Sequence, residues 1–199
     1  MMLIEQTGVP GSALPLEAFR AHLRLGTGFS DDTVQEPVLE SFLRAALAAI
    51  EARTGKVLIA RAFEWTLARW RMSDAQPVPV APVTQITSLT LRDCDGGEEV
   101  IAPSFYRLEP DAHRPVIRAT GAALPVIPPG GGAEIVFEAG FGADWGELPA
   151  DLAQAVLLLA AHYYEYRDET ALGERCMPFG VSSLIERYRT VRLLGGGTA

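Results

Sequence analysis

His162 and Glu165 stand three residues apart, so a helix would put an imidazole and a carboxylate on one face, within reach of a shared metal ion. A carboxylate-bridged di-metal bundle needs the reverse order, Glu before His, and a second such pair on another helix. The chain has no such pair, and its other histidines, His22 and His113, fall in unrelated segments. His162 therefore reads as packing, with Tyr163, Tyr164 and Tyr166 forming the aromatic part of a helix face or a subunit contact.

Gly140-Phe141-Gly142 followed by Gly146 has the look of a dinucleotide loop between a strand and a helix. The G-x-G-x-x-G spacing is broken because Gly146 comes one residue late, and no parallel α/β pattern surrounds it. Gly130-Gly131-Gly132 lacks the Lys-Ser/Thr that would make a phosphate loop, so both glycine runs read as turns. Gly180-Val181-Ser182 is the start of no G-x-S-x-G elbow and reads as a helix start capped by Ser182 or Gly180. Cys94 and Cys176 have neither a CxxC partner nor metal-ligand spacing and read as two reduced thiols. These residues predict no enzyme, no metal and no cofactor.

The chain has 199 residues, 48% of them hydrophobic, enough for one domain or one domain with a sizeable insertion. No apolar run approaches the ~18 residues of a membrane span, and the start MMLIEQTG lacks the basic flank and apolar core of a secretory signal. The net charge is −8, and the segment from Asp74 to Glu147 carries eleven acids against four arginines. An acidic chain is a poor binder of nucleic acid, because affinity for phosphate comes from counterions released around Lys and Arg.

The elements that position these residues follow from hydrophobic period. Leu14 to Leu25 predicts a short helix with Leu16, Phe19 and Leu23 on one face and Ser12 as its cap. Asp31 or Ser30 opens a second predicted helix that runs to about Thr54, about 36 Å long. Val34, Val38, Phe42, Ala46 and Ile50 form its stripe, Leu39, Leu43 and Leu47 lie beside it, and Gly55 ends it. The period changes to two at Phe63, Trp65 and Leu67, which predicts a strand. Ser73 to Pro82 reads as an extended link. Ile86 to Arg92, Glu99 to Ala102, Phe105 to Leu108, Pro115 to Arg118 and Glu134 to Phe137 predict short strands, the first two joined at Asp95-Gly96. Helix returns at Leu148, with Leu152, Val156, Leu159 and Tyr163 on one face, and Val181 to Tyr188 forms a last short helix. The predicted fold is α+β: a mainly helical core, in which the long helix packs on the C-terminal helix, with a small antiparallel β subdomain inserted. The predicted units are 1–56, the N-terminal helices; 57–147, the β insertion; and 148–199, the C-terminal helices and tail.

This order of elements resembles the head–tail connector, or adaptor, family of long-tailed phages and phage-derived gene transfer agents, over nearly the whole chain. Leu14-Pro15-Leu16-Glu17-Ala18 with Ala21-His22-Leu23-Arg24 is similar to the family's opening "LPLxEAKxHLR" helix. Asp31-Asp32 open the long helix and Ile50-Glu51-Ala52-Arg53-Thr54-Gly55 close it, with Trp65 in the strand that follows. Pro82-Val83-Thr84-Gln85-Ile86-Thr87-Ser88-Leu89 resembles the "P-L-x-S-V-x-S-V" strand. Phe105-Tyr106-Arg107-Leu108, Ala139-Gly140-Phe141-Gly142, Pro149-Ala150-Asp151-Leu152 and Pro178-Phe179-Gly180-Val181 with Tyr188-Arg189 also match, while Trp145 beside Gly146-Glu147 departs from the pattern.

The resemblance implies a homo-oligomeric ring, usually a dodecamer, docked beneath the portal protein in the neck of a virion or phage-like particle assembled in the bacterial cytoplasm. The free chain would be a monomer or a ring. Packaged DNA would pass through without specific binding, a stopper or tail-terminator protein would dock on the other side, and no membrane is involved. The short basic tail is expected to grip the portal through Arg187, Tyr188, Arg189, Val191, Arg192, Leu193 and Leu194. Val38, Phe42, Tyr163 and Tyr164 are expected at ring or core contacts. The alternatives are a stopper or tail-completion protein of the same neck, or a small α+β ligand-binding protein or enzyme.

Overall fold

The computed structural model describes residues 2–25, 32–167 and 177–189. The helices are α1 (Leu16–His22), α2 (Asp32–Thr54), α3 (Ala150–Glu165) and α4 (Phe179–Ile185). The strands are β1 (Met2–Glu5), β2 (Arg61–Leu67), β3 (Ala75–Pro77), β4 (Val83–Arg92), β5 (Glu98–Val100), β6 (Tyr106–Glu109), β7 (Val116–Ala119) and β8 (Gly132–Ala139). They make a five-stranded sheet in the order β1-β2-β8-β4-β5 and a three-stranded sheet in the order β3-β7-β6, antiparallel throughout.

This corrects the expectation of a mainly helical core with a small β insertion. Among the described residues the fold is α+β, with eight strands in two sheets beside four helices. Among the described residues the sheets enclose seventeen buried apolar residues of their own, against nineteen between the helices. Phe63, Trp65 and Leu67 of β2 and Ile135 and Phe137 of β8 face Tyr106 and Ile117 of the smaller sheet across that second core. Two further pieces of sheet replace what reads as link or tail: β3 lies within the proline-rich 73–82, and β1 pairs with β2 from Met2↔Thr66 to Glu5↔Phe63.

Between the helices the buried line of α2 is Leu39, Leu43, Ala46, Leu47 and Ile50, packed on Leu152, Ala155, Val156, Leu159 and Ala160 of α3. The expected stripe is thus turned by one position. A row of every fourth residue advances 400° per step and drifts off a face that repeats every 3.6. That drift leaves Val38 46% exposed and Phe42 at the margin. Gly55 closes α2 at φ 69°, the left-handed conformation that suits a residue without Cβ. The other caps differ from expectation. Pro15, Pro149 and Pro178 occupy the N-cap positions of α1, α3 and α4, and neither Ser12 nor Ser182 caps a helix.

The helical and sheet cores meet along Val57–Ala60. Val57 belongs to the sheet core, while Leu58 and Ile59 belong to the helical one. Here Arg61, with its side chain 7% exposed, binds Glu51 at the end of α2 at 2.7 Å and Glu5 at the end of β1 at 2.7 Å. Glu51 also accepts the Leu58 N–H at 2.7 Å. One arginine therefore ties helix, sheet and chain start together. Beside it the chain's single lysine, Lys56, is buried, its Nζ donating to the Ala112 carbonyl at 2.6 Å and lying 3.2 Å from His113 Nδ1.

Burial pushes the Lys56 ammonium below the ordinary lysine range, against a smaller opposing pull from Asp111. The unfolded chain then binds more protons than the folded one between the folded pKa and 10.5, so stability rises with pH across that window. Lys56→Met is expected to abolish this rise. Urea unfolding of both chains at neutral and alkaline pH checks it; parallel pH profiles for the two would contradict it.

Candidate assembly interface

The residues that suggested chemistry are placed by packing. Gly140 lies at φ 145° where the end of β8 crosses the Ile59–Ala60 segment; a Cβ there would stand 2.3 Å from Ala60 Cα. Backbone bonds hold the crossing: Phe141 N–H to the Leu58 carbonyl at 3.1 Å, and Ala60 N–H to the Gly142 carbonyl at 2.7 Å. Gly140 lets two backbones approach, and its own N–H donates to the Pro82 carbonyl at 3.0 Å. Gly140→Ala is expected to cost about 2–3 kcal/mol, a fall of about 4–12 °C in the melting temperature. Thermal unfolding measures it, and an unchanged melting temperature would contradict the close approach. Gly131 does the same at the head of β8, where a Cβ would lie 2.0 Å from the Arg92 carbonyl oxygen.

His162 packs its ring on Tyr166, with centroids 4.7 Å apart. No group of three metal-ligating side chains occurs among the described residues. Cys94 is exposed in the β4–β5 turn, and Cys176 lies outside the described residues.

The residues expected at the portal divide in two. Tyr188, in the 3-10 turn that ends α4, is buried. Its hydroxyl donates to Asp151 Oδ1 at 2.8 Å and its ring meets Phe141 edge to face. Arg187 lies over the Tyr188 ring, contacts its hydroxyl, and pairs through Nε with Asp151 Oδ2 at 2.8 Å. Asp151 sits in the first turn of α3, where a negative charge is favoured by the helix dipole. Burial raises the Tyr188 phenol above its ordinary range, so it stays a donor. Arg187 and Tyr188 thus clamp the chain end to α3, and Arg189 pairs with Glu186 at 3.0 Å. Val191, Arg192, Leu193 and Leu194 lie outside the described residues.

Of the residues expected at ring or core contacts, Phe42 and Tyr164 meet edge to face at 6.0 Å, and both pack with Tyr163 against the helical core. Burial raises the Tyr163 phenol. Val38 stands exposed on the same helix as Phe42. Among the described residues the most exposed aromatic is one that hydrophobic pattern did not single out: Phe179 at the head of α4, 89% exposed.

Charge is ordered as well. The face of the five-stranded sheet turned away from its core carries Glu134 in a cross-strand row with Thr66 and Thr90, Glu138 opposite Gln85, and Glu64 between Ile4 and Val136. Arg92 holds Glu134 at 2.9 Å and Glu98 at 3.2 Å. Gln85 and Gln6 donate to Glu138 and Glu64. On this face Gln85 and Glu138 are exposed, Glu64, Thr66 and Glu134 are half-buried and Thr90 is buried.

The fold recurs in solved particles. The chain superposes on a chain from the neck of an empty gene transfer agent particle computed with C6 symmetry, with a TM-score of 0.90 and 58% identity over 98% of this chain and 99% of that one. A chain from the neck of a native particle computed with C12 symmetry gives 0.84 and 54% over the same shares. A chain from the virion of a native gene transfer agent gives 0.86 and 57%, again over 98% and 99%. This chain belongs to the family of gene transfer agent neck proteins, the head–tail connectors of a phage-like particle. No protein-family model and no curated protein matches it. Neck proteins of this family are structural parts of a particle and not enzymes, which gives the glycine crossings, the Tyr188 clamp and the aromatic seam a common meaning as construction. No helix among the described residues of this neck protein is long and apolar enough to cross a membrane.

Proposed function

We propose that this neck protein is the adaptor: a ring of twelve copies beneath the portal that continues the DNA channel and presents the surface on which a stopper or tail-terminator protein docks. The observation that carries the reading is the likeness over 98% of the chain to chains of necks computed with C6 and with C12 symmetry, both of which a ring of twelve satisfies. A closed ring needs head-to-tail contacts between two different patches of one chain, and exposed Phe179 and Val38 offer apolar anchors for them. The aromatic seam of Phe42, Tyr163 and Tyr164 braces α2 and α3 behind Val38. The polar sheet face with Glu64, Glu134 and Glu138 suits a wall past which DNA slides, since like charge keeps phosphate from settling.

The Arg187–Tyr188–Asp151 clamp fixes the point from which the segment carrying Val191, Arg192, Leu193 and Leu194 leaves for the portal. Counting copies in purified particles against the portal tests the assignment. One chain per portal subunit is the result expected. One chain per two portal subunits would place it at the level of a sixfold stopper or tail-completion protein.

A further inference from the structure

The end of the five-stranded sheet is polarised across its width. β2 and β4 both run antiparallel to β8, which lies between them, so both finish at the same end, about 10 Å apart. Beyond β2 the segments 68–73 and 123–127 enclose a groove of about 340 Å³. Trp70 Nε1 donates to the Pro125 carbonyl at 2.7 Å and Leu124 N–H to the Ser73 carbonyl at 2.8 Å, so the two walls are joined. Its lips hold Met72, 46% exposed, and Val126, 85% exposed, beside Arg69 and Arg71, which have no ion pair among the described residues.

Beyond β4 stands the turn of the β4–β5 hairpin. Asp93 Oδ1 accepts the Asp95 and Gly97 N–H groups at 2.9 and 2.7 Å and makes it rigid. The hairpin carries Asp95 and Glu99, also without an ion pair among the described residues, and Val100, 72% exposed. One flank therefore offers two unpaired cations around an apolar groove. The other offers two unpaired anions and an apolar side chain on a preformed hairpin.

We infer that the groove of one copy receives the β4–β5 hairpin of the next copy around the ring, with Arg69 and Arg71 facing Asp95 and Glu99. Complementary patches, one past the end of β2 and one past the end of β4, are what a head-to-tail interface requires, because each copy then has one half to give and one to receive. The groove and hairpin are both built before contact, so little ordering is lost on docking. The inference rests on the ring reading above and specifies its contact.

Cys94, exposed in the hairpin turn, supplies the reporter. Particles assembled with Met72→Cys and Cys176→Ser, mildly oxidised, should give a ladder of multiples of this chain on a non-reducing gel. The ladder should collapse on reduction and be lost when Cys94→Ser is added. Rings visible in the necks with only monomer on the gel would overturn the contact and leave the ring standing; necks of the unsubstituted chain without a ring would overturn the ring reading itself. Charge reversal decides the matter independently of whether the cysteine variant assembles. Arg69→Glu with Arg71→Glu should lower incorporation at least tenfold, and adding Asp95→Arg with Glu99→Arg to the same chain should restore it. Normal incorporation of the first pair, or no restoration by the second, would overturn the contact.

Discussion

A chain ending at Arg189 is expected to fold normally and fail to stay in the neck. The residues removed include Val191, Leu193 and Leu194, with Arg192 as the one added cation. Burying three such side chains on a partner is worth about 4 kcal/mol once the ordering of the segment is subtracted, and its loss weakens attachment roughly a thousandfold. Stability should change by less than about 0.5 kcal/mol, since the cut spares every residue of the clamp. The position of the cut matters. Ending the chain before Arg187 would also remove buried Tyr188 and strand Asp151 without its two partners, and a loss of attachment would then be confounded with a damaged fold. Quantifying this chain in purified particles, beside a melting curve of the free protein, gives both halves of the result. A shortened chain that enters particles at the normal level would remove the portal role from the segment beyond Arg189.

Arg61→Met is expected to be the most damaging single change at the junction of the two cores. It leaves Glu51, with its side chain 14% exposed, as a buried carboxylate with no cation. Removing one partner of a buried pair costs about 3–5 kcal/mol, here a fall of about 6–20 °C in melting temperature. Adding Glu51→Gln should recover at least half of the loss, because the charge goes while an acceptor for the Leu58 N–H remains. Arg61 also holds Glu5, so the single variant should release β1 first; hydrogen exchange at Leu3 to Glu5 ought to rise more than at β8. A single variant as stable as the natural chain would show that Arg61 is not the tie between the helical and sheet cores.

Where the sequence carried a strong period, the elements stand where it placed them. Phe63, Trp65 and Leu67 alternate and form β2; Leu152, Val156 and Leu159 recur at helical spacing and form the buried side of α3. The weight of the β part was not legible, for identifiable reasons. Ala75–Pro77 is short and sits among prolines, which argue against a strand except at a sheet edge, where β3 in fact lies. Met2–Glu5 has too few residues to show alternation, and its partner β2 is about sixty residues away. Long-range pairing of this kind leaves no local mark, so the chain start read as featureless and the helices were given the core.

The same limit applies to the interface. That Arg187 and Tyr188 close on Asp151 depends on three side chains meeting from two helices, and their separate residue types point equally well to a partner. Gly140 is the converse case. Its spacing ruled out a dinucleotide loop and read as a turn, while the need it meets is room for Ala60. The family motifs located the chain's relatives well, because they record order and spacing along the whole chain and not the chemistry of any one residue.

The central claim is that this protein forms a ring directly beneath the portal. Symmetry-averaged imaging of necks in which the chain carries a small density label at its N-terminus tests it most directly. The account predicts twelve label densities in one ring touching the portal, on the tail side of it. Label at a ring of six further toward the tail, or no label in the neck, would contradict it.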